Sequence, residues 1–214
     1  MIDVTVIDYG VGNLLSVCRA LEHCGANVTV TSDSASILAA GRVVLPGVGA
    51  FADGMAALQA QGLDAVVRQV AASGNPLLGI CLGMQILFDE SEEFGSTVGL
   101  GLIPGRVVSI PPMTTTGEPH KIPHIGWNEL MMPATSSVDW RSGILADVEP
   151  CEAAYFVHSY MAVPTSPAHR LADCRYGGLP ISAAVKLDNV VGCQFHPEKS
   201  GEVGLKILRR FLLQ

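Results

Sequence analysis

The chain has 214 residues, 49% of them hydrophobic and 15% charged, with a formal net charge of −7. That length is enough for one α/β domain with a sizeable core, and the acidic balance, with no Lys/Arg cluster, excludes a nucleic-acid footprint. The six cysteines show no CxxC pair and no metal-ligand spacing, so neither metal nor cofactor is expected and the thiols fit a cytoplasmic protein.

In chain order, Ile2–Ile7 reads as the first strand rather than a signal peptide, since no basic segment or cleavage site accompanies it. Asp8-Tyr9-Gly10-Val11-Gly12-Asn13 opens the next helix but lacks the third glycine of a dinucleotide turn, which leaves a turn and helix cap. Helical periodicity runs over Asn13–Cys24 and ends at Gly25. Asn27–Thr31 is a strand, and Ser32 or Asp33 caps a short helix. Val43–Leu45 is a buried strand running into Pro46-Gly47-Val48-Gly49. Phe51–Gln61 and Leu63–Ser73 read as helices, Leu77–Ile80 as a strand, and Leu82–Glu90 as a helix. The longest uncharged stretch, Gln69 to Phe88, is broken by Ser73, Gly74, Asn75 and Pro76, so no membrane span is expected.

Beyond about residue 100 the segments become short and β-rich: Arg106–Ile110, Trp127–Leu130, Ala153–Val157, Tyr160–Val163, Leu171–Arg175, Ile181–Lys186 and Val190–Gln194. These read as antiparallel strands flanking the core. Pro111–His120 reads as a mobile loop and Gly201–Leu213 as a closing helix. The βαβα alternation in the first half predicts an α/β fold: an open, mostly parallel sheet with helices on both faces, plus flanking antiparallel strands. No linker or repeat interrupts residues 1–214, which are expected to form a single domain.

Within this frame Gly79-Ile80-Cys81-Leu82-Gly83 sits between a strand and a helix. A nucleophile on such a turn is pushed out of the sheet, and a helix N-terminus beside the sulfur favours thiolate. Far downstream, the strand Val190–Phe195 runs into His196-Pro197-Glu198. Residues two apart in extended chain face the same side, so the Glu198 carboxylate reaches the His196 imidazole. His196 would take the thiol proton and return it to a leaving amine, with Glu198 fixing its tautomer. Gly47, Val48 and Gly49 form a loop able to aim one N–H at a developing oxyanion, and the Leu82 N–H is the second donor. The bland alternative for that loop is a structural turn. Gln85 lies four residues after Cys81, on the same helix face, either to bind a polar substrate group or as a half-exposed helix residue. Cys18, Cys24, Cys151, Cys174 and Cys193 lack a glycine frame and read as packing.

Pro46-Gly47-Val48-Gly49, Gly79-Ile80-Cys81-Leu82-Gly83-Met84-Gln85, Gly126-Trp127-Asn128, Tyr155-Phe156-Val157-His158-Ser159-Tyr160 and Gln194-Phe195-His196-Pro197-Glu198-Lys199-Ser200 occur in this order. Together they resemble the triad (class I) glutamine amidotransferases over essentially the whole chain, and within them the glutaminase subunits of imidazole glycerol phosphate synthase. The resemblance implies that Cys81, His196 and Glu198 hydrolyse glutamine through a γ-glutamyl thioester. It further implies that Gln85 and the backbone around Gly49, Ser159 and Tyr160 hold the substrate. Ammonia would pass to a separate (β/α)₈-barrel cyclase subunit in a heterodimer, for histidine biosynthesis. Trp127, Asn128, Tyr155 and Lys199 match positions that such proteins place near the subunit interface; position in the sequence alone favours core aromatics and solvated polar residues. The resemblance also implies an oxyanion loop that reorients when partner and ligand bind. The Pro111–His120 loop is longer than the family leads one to expect, and Cys193 stands where a small polar residue is expected. Three alternatives share the sequence evidence: a glutaminase subunit of another synthase, such as an amino-sugar paralogue; a stand-alone thiol hydrolase; and a non-catalytic module that kept the fold.

Overall fold

The computed structural model describes residues 1–134 and 139–214. The run Ile2–Ile7 forms β1, and Leu14–His23 forms α1, which closes where Gly25 takes φ +88°. Asn13 stands at the cap position of α1 but its side chain makes no capping bond. β2 (Ala26–Thr31) lies parallel to β1. Of the two cap candidates before α2 (Ser34–Leu38), Asp33 serves: its carboxylate accepts the Ser36 N–H at 2.8 Å. β3 (Val43–Leu45), α3 (Phe51–Ala60), α4 (Leu63–Ser73) and β4 (Leu77–Ile80) agree with the sequence reading.

The first departure follows β4. The helix expected over Leu82–Glu90 is a single turn, α5 (Leu82–Gln85), and the chain then enters β5 (Phe88–Ser91). Ile86, Leu87 and Phe88 are wholly buried, and a fully buried strand carries no period that separates it from a buried helix. A distant loop decides between them. Leu100 N–H donates to the Ile86 carbonyl at 2.8 Å, Leu102 N–H to Leu87 at 2.8 Å, and Gly101 N–H to Phe88 at 3.0 Å. These bonds use carbonyls that a continuing helix would need.

The remaining elements are β6 (Thr97–Val98), β7 (Ile103–Ser109), β8 (His124–Glu129), β9 (Ala153–His158), β10 (Tyr160–Pro164), β11 (Arg170–Tyr176), β12 (Leu179–Leu187), β13 (Val190–Cys193) and α6 (Gly201–Leu212). The main sheet has seven strands in the order β11-β12-β13-β4-β3-β1-β2. Pairing is parallel from β13 through to β2 and antiparallel at β11 and β12. The Val190–Gln194 segment is therefore not one of the flanking antiparallel strands. β13 joins the parallel core beside β4, with Val191 opposite Leu78, and is buried along its length as an interior strand must be. Of the other late strands, β11 and β12 stay at the antiparallel edge of the main sheet, and the rest lie in a four-stranded sheet, β10-β7-β5-β6, and a two-stranded ladder, β8-β9.

Alternation along the strands divides the core between the two faces of the main sheet. Val4, Val6, Val44, Leu78 and Ile80 pack with Val17 and Leu21 of α1 and Ile207, Leu208 and Phe211 of α6. Ile7, Val43, Leu45 and Leu77 pack with α3, α4 and the four-stranded sheet through Phe51, Met55, Val67 and Phe88. The Pro111–His120 loop carries its own bonds, Thr114 N–H to Glu118 at 2.7 Å and His120 N–H to Pro112 at 3.1 Å, and docks through Thr115 N–H on Gly177 at 2.9 Å.

The adjacent strands β3, β4 and β13 run in the same direction. From their carboxyl ends emerge Pro46–Gly49, Cys81 and, just beyond Phe195, His196. Open α/β sheets present ligand sites at that edge.

Candidate active site

Cys81 occupies the turn between β4 and α5 at φ +53° and ψ −109°, a conformation that strains any residue with a Cβ. Two hydrogen bonds hold the turn: Cys81 N–H to the Cys193 carbonyl at 2.7 Å and Gln85 N–H to the Cys81 carbonyl at 3.1 Å. Cys81 is 7% exposed. With only four residues, α5 offers far less macrodipole than the long helix expected after the cysteine. The polarity near the sulfur comes from side chains instead.

His196 is the chief of these. Its Nδ1 lies 2.8 Å from Glu198 Oε1, both side chains being almost wholly buried. The contact was expected from extended-chain alternation. The chain in fact tightens into a 3-10 turn over Pro197–Lys199, and the turn brings the carboxylate back to the ring. Burial disfavours the imidazolium, but the electrostatic pull of Cys81 and Glu198 outweighs it and raises the His196 pKa from 6.5 to about 9. Nε2 is buried with no conventional hydrogen-bond partner among the described residues, which leaves it available to move a proton. The backbone around the ring is fixed by His196 N–H to Tyr155 at 2.9 Å and by Ser200 Oγ, which donates to the His196 carbonyl at 2.7 Å.

Cys81 and His196 line a cleft of about 290 Å³ together with Val48, Gly49, Leu82, Gln85, Ser159 and Tyr160. Six of the seven residues expected to bind substrate or oxyanion therefore border the space in front of the sulfur; Gly47 does not. Gly47 stacks behind the turn, where its carbonyl accepts the Leu82 N–H at 3.3 Å. The Leu82 N–H expected as an oxyanion donor is thus turned toward the loop in this conformation. Tyr9 fastens the same loop through its hydroxyl, which donates to Pro46 at 2.7 Å. Gln85 donates through Nε2 to the Tyr160 carbonyl at 3.1 Å and to Gln194 Oε1 at 2.9 Å. Both acceptors occupy its amide nitrogen, so its oxygen is the atom left for the cleft.

Three residues that the sequence did not single out also belong here. Gln194, wholly buried, directs Nε2 at Cys81 Sγ over 3.8 Å. His158 borders the cleft and reaches the Tyr160 carbonyl at 2.8 Å through Nδ1. Glu93 borders it as well, and its carboxylate accepts the Phe51 N–H at 2.7 Å. Gln194 and His158 stand inside quoted motifs; nothing in their spacing marks their roles, because Cys81 and Gln85, which Gln194 meets, and His124, which His158 meets, are distant in the chain.

None of the four residues expected at an interface lines the cleft. Trp127 is 59% exposed and meets Tyr155, its cross-strand partner, edge to face with ring centroids 6.1 Å apart. Lys199 is exposed beside the triad turn. Asn128 is half-buried and bonded inward, its amide nitrogen 2.8 Å from the Arg175 carbonyl and 3.2 Å from His124 Nε2. No group of three or more His, Cys, Asp or Glu side chains suited to a metal occurs among the described residues, and no helix among them is long and apolar enough to cross a membrane.

Residues 5–214 match the family model of the class-I glutamine amidotransferases. The chain is 53% identical over 212 residues to imidazole glycerol phosphate synthase subunit HisH 1 of Legionella pneumophila (strain Lens), covering 99% of both chains. It is 49% identical over 209 residues to subunit HisH of Geobacillus thermodenitrificans (strain NG80-2), covering 98% of this chain and 94% of that one. Among solved structures, PurLQS from Thermotoga maritima matches all of this chain and 99% of its own with a TM-score of 0.74 at 20% identity, a likeness of fold. With a family model spanning nearly the whole sequence and relatives near half identity over full length, the chain belongs to the class-I glutamine amidotransferases, in the group of HisH subunits of imidazole glycerol phosphate synthase.

Proposed function

We propose that residues 1–214 act as one glutamine amidotransferase domain, that Cys81, His196 and Glu198 hydrolyse glutamine in the cleft, and that the ammonia is passed to a (β/α)₈-barrel cyclase subunit in a heterodimer. The chemistry is that of glutamine hydrolysis for imidazole glycerol phosphate synthase in histidine biosynthesis. Cys81 Sγ gives its proton to His196 and attacks the carboxamide carbon. The C–N bond breaks as His196 returns the proton to the departing nitrogen, releasing ammonia and leaving a γ-glutamyl thioester. Water then attacks the thioester, His196 taking its proton, and glutamate departs as the sulfur recovers a proton. Glu198 stabilises the imidazolium formed in each half. The observation that carries this reading is the buried His196–Glu198 pair, 2.8 Å apart, whose His196 shares a cleft with a cysteine held at positive φ.

The resting state of the oxyanion loop supports partner gating. Leu82 N–H is committed to Gly47, and the peptides of Pro46–Gly49 must turn before it faces the cleft. Gly49, already at φ +101°, is the residue that lets that turn occur without a Cβ penalty. The exposed Trp127 and Lys199, with half-buried Tyr155 against Trp127, supply apolar and cationic groups for contact with the cyclase.

The test is glutaminase turnover of the chain alone, then with a cyclase subunit and its nucleotide ligand. Strong stimulation is expected. Cys81→Ala should cut glutamine-dependent synthesis by at least about a thousandfold while ammonia-dependent synthesis by the partner continues. Equal loss of both activities would refute a nucleophile role, and full activity without the partner would refute gating.

A further inference from the structure

We propose that His158, backed by His124 and Asn128, is a positioning residue for the substrate: it fixes the Tyr160 carbonyl and, through it, the Gln85 amide at the edge of the cleft. The inference rests on the reading that this cleft takes glutamine.

His158 ends β9 with 6% of its surface exposed, and its Nδ1 lies 2.8 Å from the Tyr160 carbonyl. A carbonyl only accepts, so Nδ1 carries the hydrogen. In the neutral ring Nε2 is then an acceptor, and the atom facing it at 3.0 Å is His124 Nδ1, which must donate. His124 Nε2 in turn accepts from Asn128 Nδ2 at 3.2 Å, whose second hydrogen goes to the Arg175 carbonyl at 2.8 Å. Every bond from Asn128 to Tyr160 thus has one polarity, and aligned bonds of this kind strengthen one another. The His124 ring is clamped between Phe156 and Tyr176, with centroids 5.0 Å and 4.0 Å away, so it does not turn freely.

Both rings are neutral at physiological pH. Burial is the leading cause that lowers His124 to about 4, and burial likewise lowers His158 to about 4 against the opposing Tyr160 bond. A second proton on His158 would set two N–H groups against each other across the 3.0 Å contact, and one on His124 would set its Nε2–H against the Asn128 amide at 3.2 Å.

The far end of this row is the substrate edge. The Tyr160 carbonyl has two lone pairs; His158 holds one and Gln85 Nε2 the other, at 3.1 Å. Losing the His158 donor frees the carbonyl to swing, and the Gln85 amide with it. These groups border the cleft in ground and transition state alike, so the loss appears in KM rather than kcat.

The experiment uses the whole chain in complex with a cyclase subunit and its nucleotide ligand, with glutamine as substrate. His158→Leu removes the donor; His158→Asn keeps an amide nitrogen where Nδ1 lies. His158→Leu should raise KM for glutamine about tenfold with kcat within about threefold of wild type, and His158→Asn should recover most of the loss. An unmoved KM in His158→Leu, or an Asn variant no better than the Leu variant, overturns the proposal. Should His158→Leu fail to fold, the same comparison is made with His124→Leu and His124→Asn. Nitrogen-15 NMR of histidine-labelled wild type at neutral pH should find the Nδ1–H tautomer at both His158 and His124, and an Nε2–H tautomer at either overturns the row. A wild-type complex that hydrolyses no glutamine overturns the glutamine reading itself, whereas wild-type turnover with an unmoved KM in the variant overturns this proposal alone.

Discussion

Glu198 commits one carboxylate oxygen to His196 and keeps the other buried without a partner among the described residues. A carboxylate held this dry stays there because the imidazolium it faces compensates for the lost water. Replacing it by an amide of the same shape removes the charge but leaves a group that still touches the ring. Glu198→Gln should therefore lower kcat by about a hundredfold with KM for glutamine nearly unchanged, measured in the stimulated complex. Loss of binding at normal turnover would sink this role. At this scale the sequence was legible where a residue type is rare in its setting. A cysteine in a glycine frame and a histidine bound to a glutamate by a rigid proline stand out. Gln194 did not, although its amide points at the sulfur, because its partner lies 113 residues away and a buried polar residue at a strand end has no local mark.

At the scale of elements, the active turn depends on how closely α5 crosses the end of β3. Gly83 makes that crossing possible: a methyl group there would collide with the Leu45 carbonyl, which has no side chain to yield. Gly83→Ala should destabilise the protein by roughly 3 kcal/mol and lower its melting temperature by roughly 6–12 °C, read by calorimetry. A melting temperature unmoved by the substitution would mean the crossing relaxes at no cost. The frame glycines were visible in the sequence as turn-formers, but the end of the helix was not. Ile86-Leu87-Phe88 has the apolar content of either a buried helix or a buried strand, and the choice belongs to Leu100, Gly101 and Leu102, which take its carbonyls from outside.

At the scale of the molecule, three buried histidines give stability a pH profile. His124 and His158 have folded pKa values near 4 against 6.5 in the open chain. Between those values only the unfolded state takes up the protons, so stability falls as pH drops from 6.5 toward 4. His196 works in the other sense. Its folded pKa is about 9, so its contribution is complete below 6.5 and is lost as pH rises from 6.5 through 9. Together they place a maximum in melting temperature near 6.5 from these groups. Calorimetry across pH should find the acid limb flattened in His158→Asn and the alkaline limb flattened in Glu198→Gln; limbs unchanged in the variants would assign the profile to other groups.

The order of strands and helices from β1 to β4, the bounds of β1, β4 and α4, and the choice of Cys81, His196 and Glu198 as candidates were written in the sequence itself. They rest on patterns that repeat within a few residues: periodicity, a glycine beside a turn, a proline after a histidine. Tertiary structure alone decided which strand lies beside which. It put β13 into the parallel core, sent β5 to a second sheet, closed Leu82 N–H onto Gly47, and joined Asn128, His124, His158 and Tyr160 into one row. Apart from the short-range Asn128–His124 and His158–Tyr160 bonds, each of those contacts joins groups from separate segments of chain, and a hydrogen bond is set by distance in space, on which local sequence patterns bear only within a turn or two.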